Sequence, residues 1–594
     1  MSLEINSGDW ESLISSMLKQ WGAPGLAVTI LNENEIIYSE GFGYRNIKRN
    51  LQMTRDTMHI IASCSKSFTS TTIAMLVDEG KLDWNTPIVE YLPHFRLKDP
   101  VTSRLVTIAD MLSHRTGLPR HDMIWVDNVV KYSEILERLP HLDLTADIRK
   151  QLQYCNLTFI AASMVVEELS GLKFNDFITR RIFKPLGMSR SNFSVDKMRK
   201  DNDHATPYTI DYQTDRSELI ECEHVVYDSL TGAGSINAST NDVGKWLRFH
   251  LNKGEVGGKR LVSLENLWIT YMPGLDASGC PESMKTILSK YIPDQNWFSM
   301  DAWALGWMNQ IYRGNKIISH GGILDGSRSL MIFDSVKGIG VNVIVNQSDT
   351  FLTPAISYSI LDRLLGLDPV DWRGVFEPIE KHLHTVIRET GENSRLLRKD
   401  NTSPQHSLQN YVGKYHHPGY GVLEIIQGDG MLRLKHGTAE YPLEHYHFET
   451  FQYKITRWEF RELLTFQTDP YGDISGLAIK IEELLPPIQF KRLPDERMFS
   501  TEFLKELVGF YKLAGQAVEI SMKENNTLRF APSGQKSTQL EPVKGLRFKS
   551  KDSDFFTVTF KANESGEVNE FLFVSYGQVI PAKRMEKNPL NSLK

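Results

Sequence analysis

Met58-His59-Ile60-Ile61-Ala62-Ser63-Cys64-Ser65-Lys66-Ser67-Phe68-Thr69-Ser70 joins an extended apolar run to a serine and a lysine three residues apart, and opens a long apolar tract that closes at Gly80. The tract reads as a helix beginning near Ser63. At the start of a helix, residues three apart share a face, so Ser63 and Lys66 can touch while the N-terminus adds positive potential. A serine hydroxyl is a poor nucleophile at neutral pH, and acyl transfer needs a base within reach and donors for the oxyanion. Lysine serves as that base when desolvation or neighbouring positive charge lowers its pKa.

The pattern Ser-x-x-Lys is weak by itself, since it also begins at Ser16, Ser170, Ser194 and Ser533, where a solvated helix face accounts for it. Ser63 is set apart by two motifs downstream in the chain, Tyr154-Cys155-Asn156 and then His320-Gly321-Gly322. Each of these also has a stray match, Tyr44-Arg45-Asn46 and His417-Pro418-Gly419, explained by turn or strand chemistry. Four further stretches support the ordered set: Leu112-Ser113-His114-Arg115-Thr116-Gly117-Leu118-Pro119, Phe183-Lys184-Pro185-Leu186-Gly187-Met188, Gly232-Ala233-Gly234-Ser235 and Ala304-Leu305-Gly306-Trp307. With these residues the chain resembles the serine β-lactamase, penicillin-binding-protein and esterase superfamily over most of residues 10–366, on its class C β-lactamase, esterase and D-aminopeptidase branch.

That resemblance implies an attack by Ser63 on a carbonyl, with Lys66 and Tyr154 sharing the proton and Tyr154 protonating the leaving group. Asn156 is implied to orient Lys66 and hold a substrate amide. The implied oxyanion donors are the backbone N–H groups of Ser63 and of Ile323, the residue after His320-Gly321-Gly322, with glycines such as Gly322 letting the strand come close. His320 stands where β-lactamases of this branch usually carry lysine. A histidine is only partly charged at neutral pH, which weakens the case for an anionic substrate. His114 is expected in a structural hydrogen-bonding role, and Trp297, Trp303 and Trp307 in the core rather than the site. His382 with His384, and His445 with His447, alternate as paired ligands would, but no third ligand stands near in sequence.

Outward from the motif, Trp10, Leu13, Ile14, Met17 and Leu18 line one face of a helix, and Gly25–Leu31 and Ile36–Gly43 read as a hairpin around Asn32–Glu35. Helical stretches fill the middle, and strands return at Lys316–Ser319, Ser329–Phe333 and Gly340–Asn346 before a helix at Thr353–Leu365. The expected fold is α/β (α+β), an antiparallel sheet flanked by helices over residues 1–368. A linker is expected at 369–407, from Pro378, Pro404 and a charged, weakly apolar run. The rest looks duplicated: Tyr411-Val412-Gly413-Lys414-Tyr415 recurs as Leu507-Val508-Gly509-Phe510-Tyr511, and Lys491-Arg492 nearly aligns with Lys583-Arg584. Short alternating runs with Gly, Asn and Asp turns predict two antiparallel, lipocalin-like β-barrels, over 408–495 and 496–594.

The 594 residues exceed one core, and their 41% hydrophobic and 24% charged content is ordinary for globular chains. A net charge of -6 gives no basic footprint for nucleic acid or anionic lipid. Four cysteines without Cys-x-x-Cys spacing, no leader-like start and no 18-residue apolar run lead to the expectation of a cytoplasmic protein without a membrane span. The expected activity is hydrolysis of a small amide or ester through an acyl-enzyme, needing neither metal nor other cofactor, on a small molecule or short peptide. Two C-terminal barrels behind such a unit resemble the D-stereospecific aminopeptidases. An esterase or acyltransferase is the alternative within this class, and a catalytically silent binding or scaffold protein the alternative outside it. The sequence leaves the oligomeric state open.

Overall fold

Gly25–Asn32 (β1) is apolar on both sides of its alternation, as suits a strand covered on both faces, and it lies inside a sheet with seven of its eight residues buried. The computed structural model describes residues 7–586 except 129, 212–217, 225, 227, 281–283, 456–459, 524–525 and 553–555. β1 pairs antiparallel with Ile36–Asn46 (β2), and the side chain of Asn32 closes the hairpin by accepting the N–H groups of Asn34 and Glu35. On its other edge lies Ile339–Val345, preceded in the sheet by Ser327–Asp334 and Asn315–Leu324. Nine strands form this sheet.

The two-residue period divides the sheet's side chains between two cores. Leu26, Val28, Ile30, Val341, Val343 and Val345 pack under the helices Ser7–Trp21 and Leu352–Leu364. Ile344, Met331 and Phe333 face the helices Ser65–Asp78, Asn156–Ser170 and Thr240–Leu251 on the other side. The stretch 369–407, expected as a linker, instead contains a 22-residue helix, Trp372–Asn393, with Pro378 inside it. Trp372, Val375, Phe376 and Ile379 sit at helical spacing and are buried in the first of these cores, while Lys381, Arg388 and Glu389 stay exposed.

Two closed eight-stranded barrels follow, Gly413–Arg492 and Gly509–Arg584, with strands in sequence order. The repeated residues form the seam that closes each barrel. Tyr415 faces Arg492 across the first seam and Tyr511 faces Arg584 across the second. Arg492 donates to the carbonyls of Asn410 and Val412, Arg584 to those of Glu506 and Val508, and each tyrosine hydroxyl donates to the carbonyl four residues before it, at 2.7 and 3.0 Å. A Cβ on Gly413 or Gly509 would lie 3.0 Å from the guanidinium, so the glycines make room for the arginines.

The first barrel shares a continuous apolar core with the N-terminal unit, whereas the second has a core of its own. At the first junction, buried Asp127 accepts the Tyr441 hydroxyl at 2.7 Å and His436 Nδ1 at 3.2 Å, and its carbonyl accepts Thr438 N–H. The second barrel meets the first through charge: Lys544 and Arg547 pair with Asp473 at 3.0 and 3.1 Å, Arg547 also with Asp469, and its guanidinium covers the Tyr471 ring. No helix among the described residues is long and apolar enough to cross a membrane.

Candidate active site

Ser63 lies in a 3-10 turn, Ala62–Cys64, one turn ahead of the helix that the sequence places at Ser63 itself. Ala62 has φ +47, a left-handed conformation that costs a non-glycine residue energy and is held only by firm surroundings. Those surroundings are visible. Ile61 N–H donates to Ile236 O at 3.0 Å, Ser329 Oγ donates to Ile61 O at 2.9 Å, and Ser327 Oγ to Ile60 O at 2.8 Å. A Cβ on Gly322 would fall 2.2 Å from Ile61 O, so only glycine lets the strand Asn315–Leu324 approach the serine turn this closely.

Lys66 is fully buried, and its ammonium donates to Ser63 Oγ at 3.1 Å, Asn156 Oδ1 at 2.7 Å and Ala233 O at 2.8 Å. Burial lowers its pKa from 10.5 to about 7; Arg120 pushes the same way and Asp122 opposes. Tyr154 donates its hydroxyl to Ser63 Oγ at 3.0 Å. Ser63, Lys66, Tyr154 and Asn156 thus form one hydrogen-bonded group. Asn156 opens its helix, and its Nδ2 donates to Asp122 at 3.1 Å, which fixes the amide with Oδ1 toward Lys66.

The other expected residues stand around this group. His320 is buried, donates Nδ1–H to Gly321 O at 2.6 Å, and leaves Nε2 without a hydrogen-bond partner. Burial first, and Lys66 second, drive its pKa down to about 3. The expectation of a partly charged histidine is therefore corrected to a neutral one, because the strand face at this position is closed to water. Ile323 is 57% exposed and paired in register with Arg328.

Several contributors escaped the sequence reading. Arg120 lies 5.0 Å over the Tyr154 ring and bonds Asp122 at 2.6 Å. The Trp303 ring, expected only as core, packs against Tyr154 and His320 at 5.4 and 5.5 Å. His114, which the sequence did single out for a structural hydrogen bond, accepts the Cys155 N–H on Nδ1, and its ring lies tilted against Tyr154 at 4.3 Å. The Ala233 carbonyl was hinted at by Gly232-Ala233-Gly234. Gly232 has φ +83, and a Cβ there would meet Phe159 O at 2.7 Å.

Tyr154 opens onto a cavity of about 810 Å³ whose far wall belongs to the first barrel. Arg120 and Asp122 line one side, Glu462, Lys480 and Glu482 the other. Burial raises Glu462 and Glu482 to about 7. No group of three or more metal-ligating side chains stands together among the described residues.

The chain is similar to the unguisins hydrolase ungD of Aspergillus violaceofuscus, at 27% identity over 464 residues that span 73% of this chain and 79% of that protein. It is 22% identical over 354 residues to Protein flp of Staphylococcus aureus, spanning 59% of this chain and 64% of the other. In structure it is similar to the octameric penicillin-binding protein homologue from Pyrococcus abyssi, with a TM-score of 0.53 and 21% identity over 82% of this chain and 100% of that one. Residues 397–497 match a domain of unknown function, DUF3471. Residues 10–363, more than half of the 594, match the family described as Beta-lactamase, and the chain belongs to that family, as a serine hydrolase of the β-lactamase-like kind.

Proposed function

We propose that the chain cleaves a small amide or ester through an acyl-enzyme on Ser63, with Lys66 as base and Tyr154 as the acid for the leaving group. The observation that carries this is the hydrogen bonding of Lys66. As an ammonium it donates to three oxygens, those of Ser63, Asn156 and Ala233. Once it loses a proton, its lone pair must face a donor, and of the three only the Ser63 hydroxyl has a proton to give. With a pKa of about 7, Lys66 spends a large fraction of the time at neutral pH in the form that takes that proton.

In the proposed sequence Ser63 Oγ bonds to the substrate carbonyl carbon as its proton moves to Lys66, and the carbonyl oxygen becomes an oxyanion held by the N–H groups of Ser63 and Ile323. The carbon–nitrogen or carbon–oxygen bond then breaks as Tyr154 gives its proton to the leaving group, and the Lys66 proton restores Tyr154. Water repeats the cycle on the acyl-enzyme. Neutral His320 supplies no charge for an anionic substrate. A cavity of about 810 Å³ that mixes apolar walls such as Met123, Ile455 and Leu484 with the charged groups Arg120, Glu462 and Lys480 suits a small molecule or short peptide, and the similarity to a protein named a hydrolase agrees with hydrolysis.

The test is a fluorophosphonate followed by intact mass: the wild type gains one adduct and Ser63→Ala gains none. An adduct that persists in Ser63→Ala overturns the assignment. D- and L-alanine p-nitroanilides, compared with p-nitrophenyl acetate, butyrate and octanoate, then separate the bonds cleaved. Turnover of esters alone moves the reading from amidase to esterase.

A further inference from the structure

The first barrel reaches the reacting groups through a short relay that begins at His121. This residue is buried with φ +47, and each of its polar atoms has a partner, its carbonyl accepting Ile124 N–H at 3.1 Å. Its backbone N–H donates to Glu482 Oε1 at 2.9 Å, Nδ1 lies 2.7 Å from the Tyr420 hydroxyl, and Nε2 lies 2.9 Å from Asp143 O. The partners settle the tautomer. A carbonyl only accepts, so Nε2 carries the proton; burial lowers the ring's pKa to about 4, so Nδ1 is an acceptor and Tyr420 donates to it. Tyr420 and Glu482 belong to the first barrel, in the turn after its first strand and the loop before its last.

The residues on either side of His121 act on the site. Arg120 covers Tyr154 and is, after burial, the main influence holding the Lys66 pKa down. Asp122 accepts Trp125 Nε1 at 2.8 Å and Asn156 Nδ2 at 3.1 Å, and Asn156 in turn receives Lys66. From Glu482 and Tyr420 the relay runs through His121 and Asp122 to Asn156, Lys66 and Ser63 without a break.

We infer that Tyr420 and Glu482 are positioning residues for the reaction, holding Arg120 and Asp122 across the left-handed turn at His121, so that the site is complete only with the first barrel docked. This rests on the acyl-enzyme reading above. Releasing the turn removes Arg120 from Lys66 and admits water, both of which raise the Lys66 pKa; losing Asp122 works the other way but is the smaller influence.

The variants are Tyr420→Phe, which lacks the donor, Glu482→Ala, which lacks the acceptor, and Glu482→Gln, which keeps one. With p-nitrophenyl acetate, Tyr420→Phe and Glu482→Ala are expected to lower kcat about 10- to 100-fold with KM nearly unchanged, and to move the acid limb of the pH profile upward from about 7. Glu482→Gln should restore both. Loss of rate with the limb unmoved, or a Gln variant no better than Ala, overturns the proposal. Titration of Lys66 Nζ by lysine-selective 15N NMR, assigned with Lys66→Arg, separates the two readings. If Ser63 forms no adduct but the Lys66 pKa still rises in Tyr420→Phe, the acyl-enzyme reading fails and the positioning stands. An unmoved pKa sinks the positioning whatever the enzyme turns over.

Discussion

A lysine with no exposed surface is an unusual thing for a fold to keep, and at Lys66 its cost can be read against pH. Its pKa falls from 10.5 to about 7 on folding. Between those values the unfolded chain holds the proton and the folded chain does not, so the folded state gains as pH rises from about 7 toward 10.5 and bears the whole penalty below 7. Lys66→Met escapes the penalty. Its urea stability relative to wild type is expected to be most favourable near pH 6, and the difference to narrow by a few kcal/mol, on the order implied by such a shift, by pH 10. A difference that stays constant with pH means that Lys66 is not held in this way. The sequence already paired Ser63 with Lys66, because a spacing of three is a local property. It could not foresee a neutral His320 or the place of Arg120: the first arises from burial, and the second from a loop that meets Tyr154 only in three dimensions.

Among elements, the duplication that turns out to form the barrel seams was the easiest to read and the helix Trp372–Asn393 the hardest. The seams repeat as Gly413 with Tyr415 and Gly509 with Tyr511, each closed by a distant arginine, and a duplicated motif announces itself in one chain. The helix carried its signal too, in Trp372, Val375, Phe376 and Ile379, but Pro378 and the surrounding charges favoured a linker. Had the chain been cut after Asp368, Trp372 and Phe376 would have been taken from the core. The seams also give matched perturbations. Arg492→Lys and Arg584→Lys each lose the forked contact with two carbonyls, at about 1–3 kcal/mol for their own barrel. Among the described residues the first barrel and not the second walls the Tyr154 cavity, so Arg492→Lys is expected to slow ester turnover and Arg584→Lys to leave it within about two-fold of wild type. Equal losses from both would show that the seams do not act locally.

At the scale of the whole molecule, the continuous core between the N-terminal unit and the first barrel has a thermal consequence. Three folded bodies should melt as two. The apolar cluster that spans the first junction gives neither side a separate transition, and Asp127, buried between Tyr441 and His436, would be stranded if the two parted. The second barrel keeps a separate core and meets the first through Lys544 and Arg547 against Asp469 and Asp473, a cluster whose arginine is buried and which dissolved salt therefore screens only weakly. Scanning calorimetry is therefore expected to resolve two endotherms, with ester turnover disappearing along the one that contains the N-terminal unit. Removing both cations of that cluster, Lys544→Ala with Arg547→Ala, should loosen the other body, so that small-angle scattering reports a larger radius of gyration while the enzyme goes on working, one barrel swinging on its tether and the other fused to the machinery it completes.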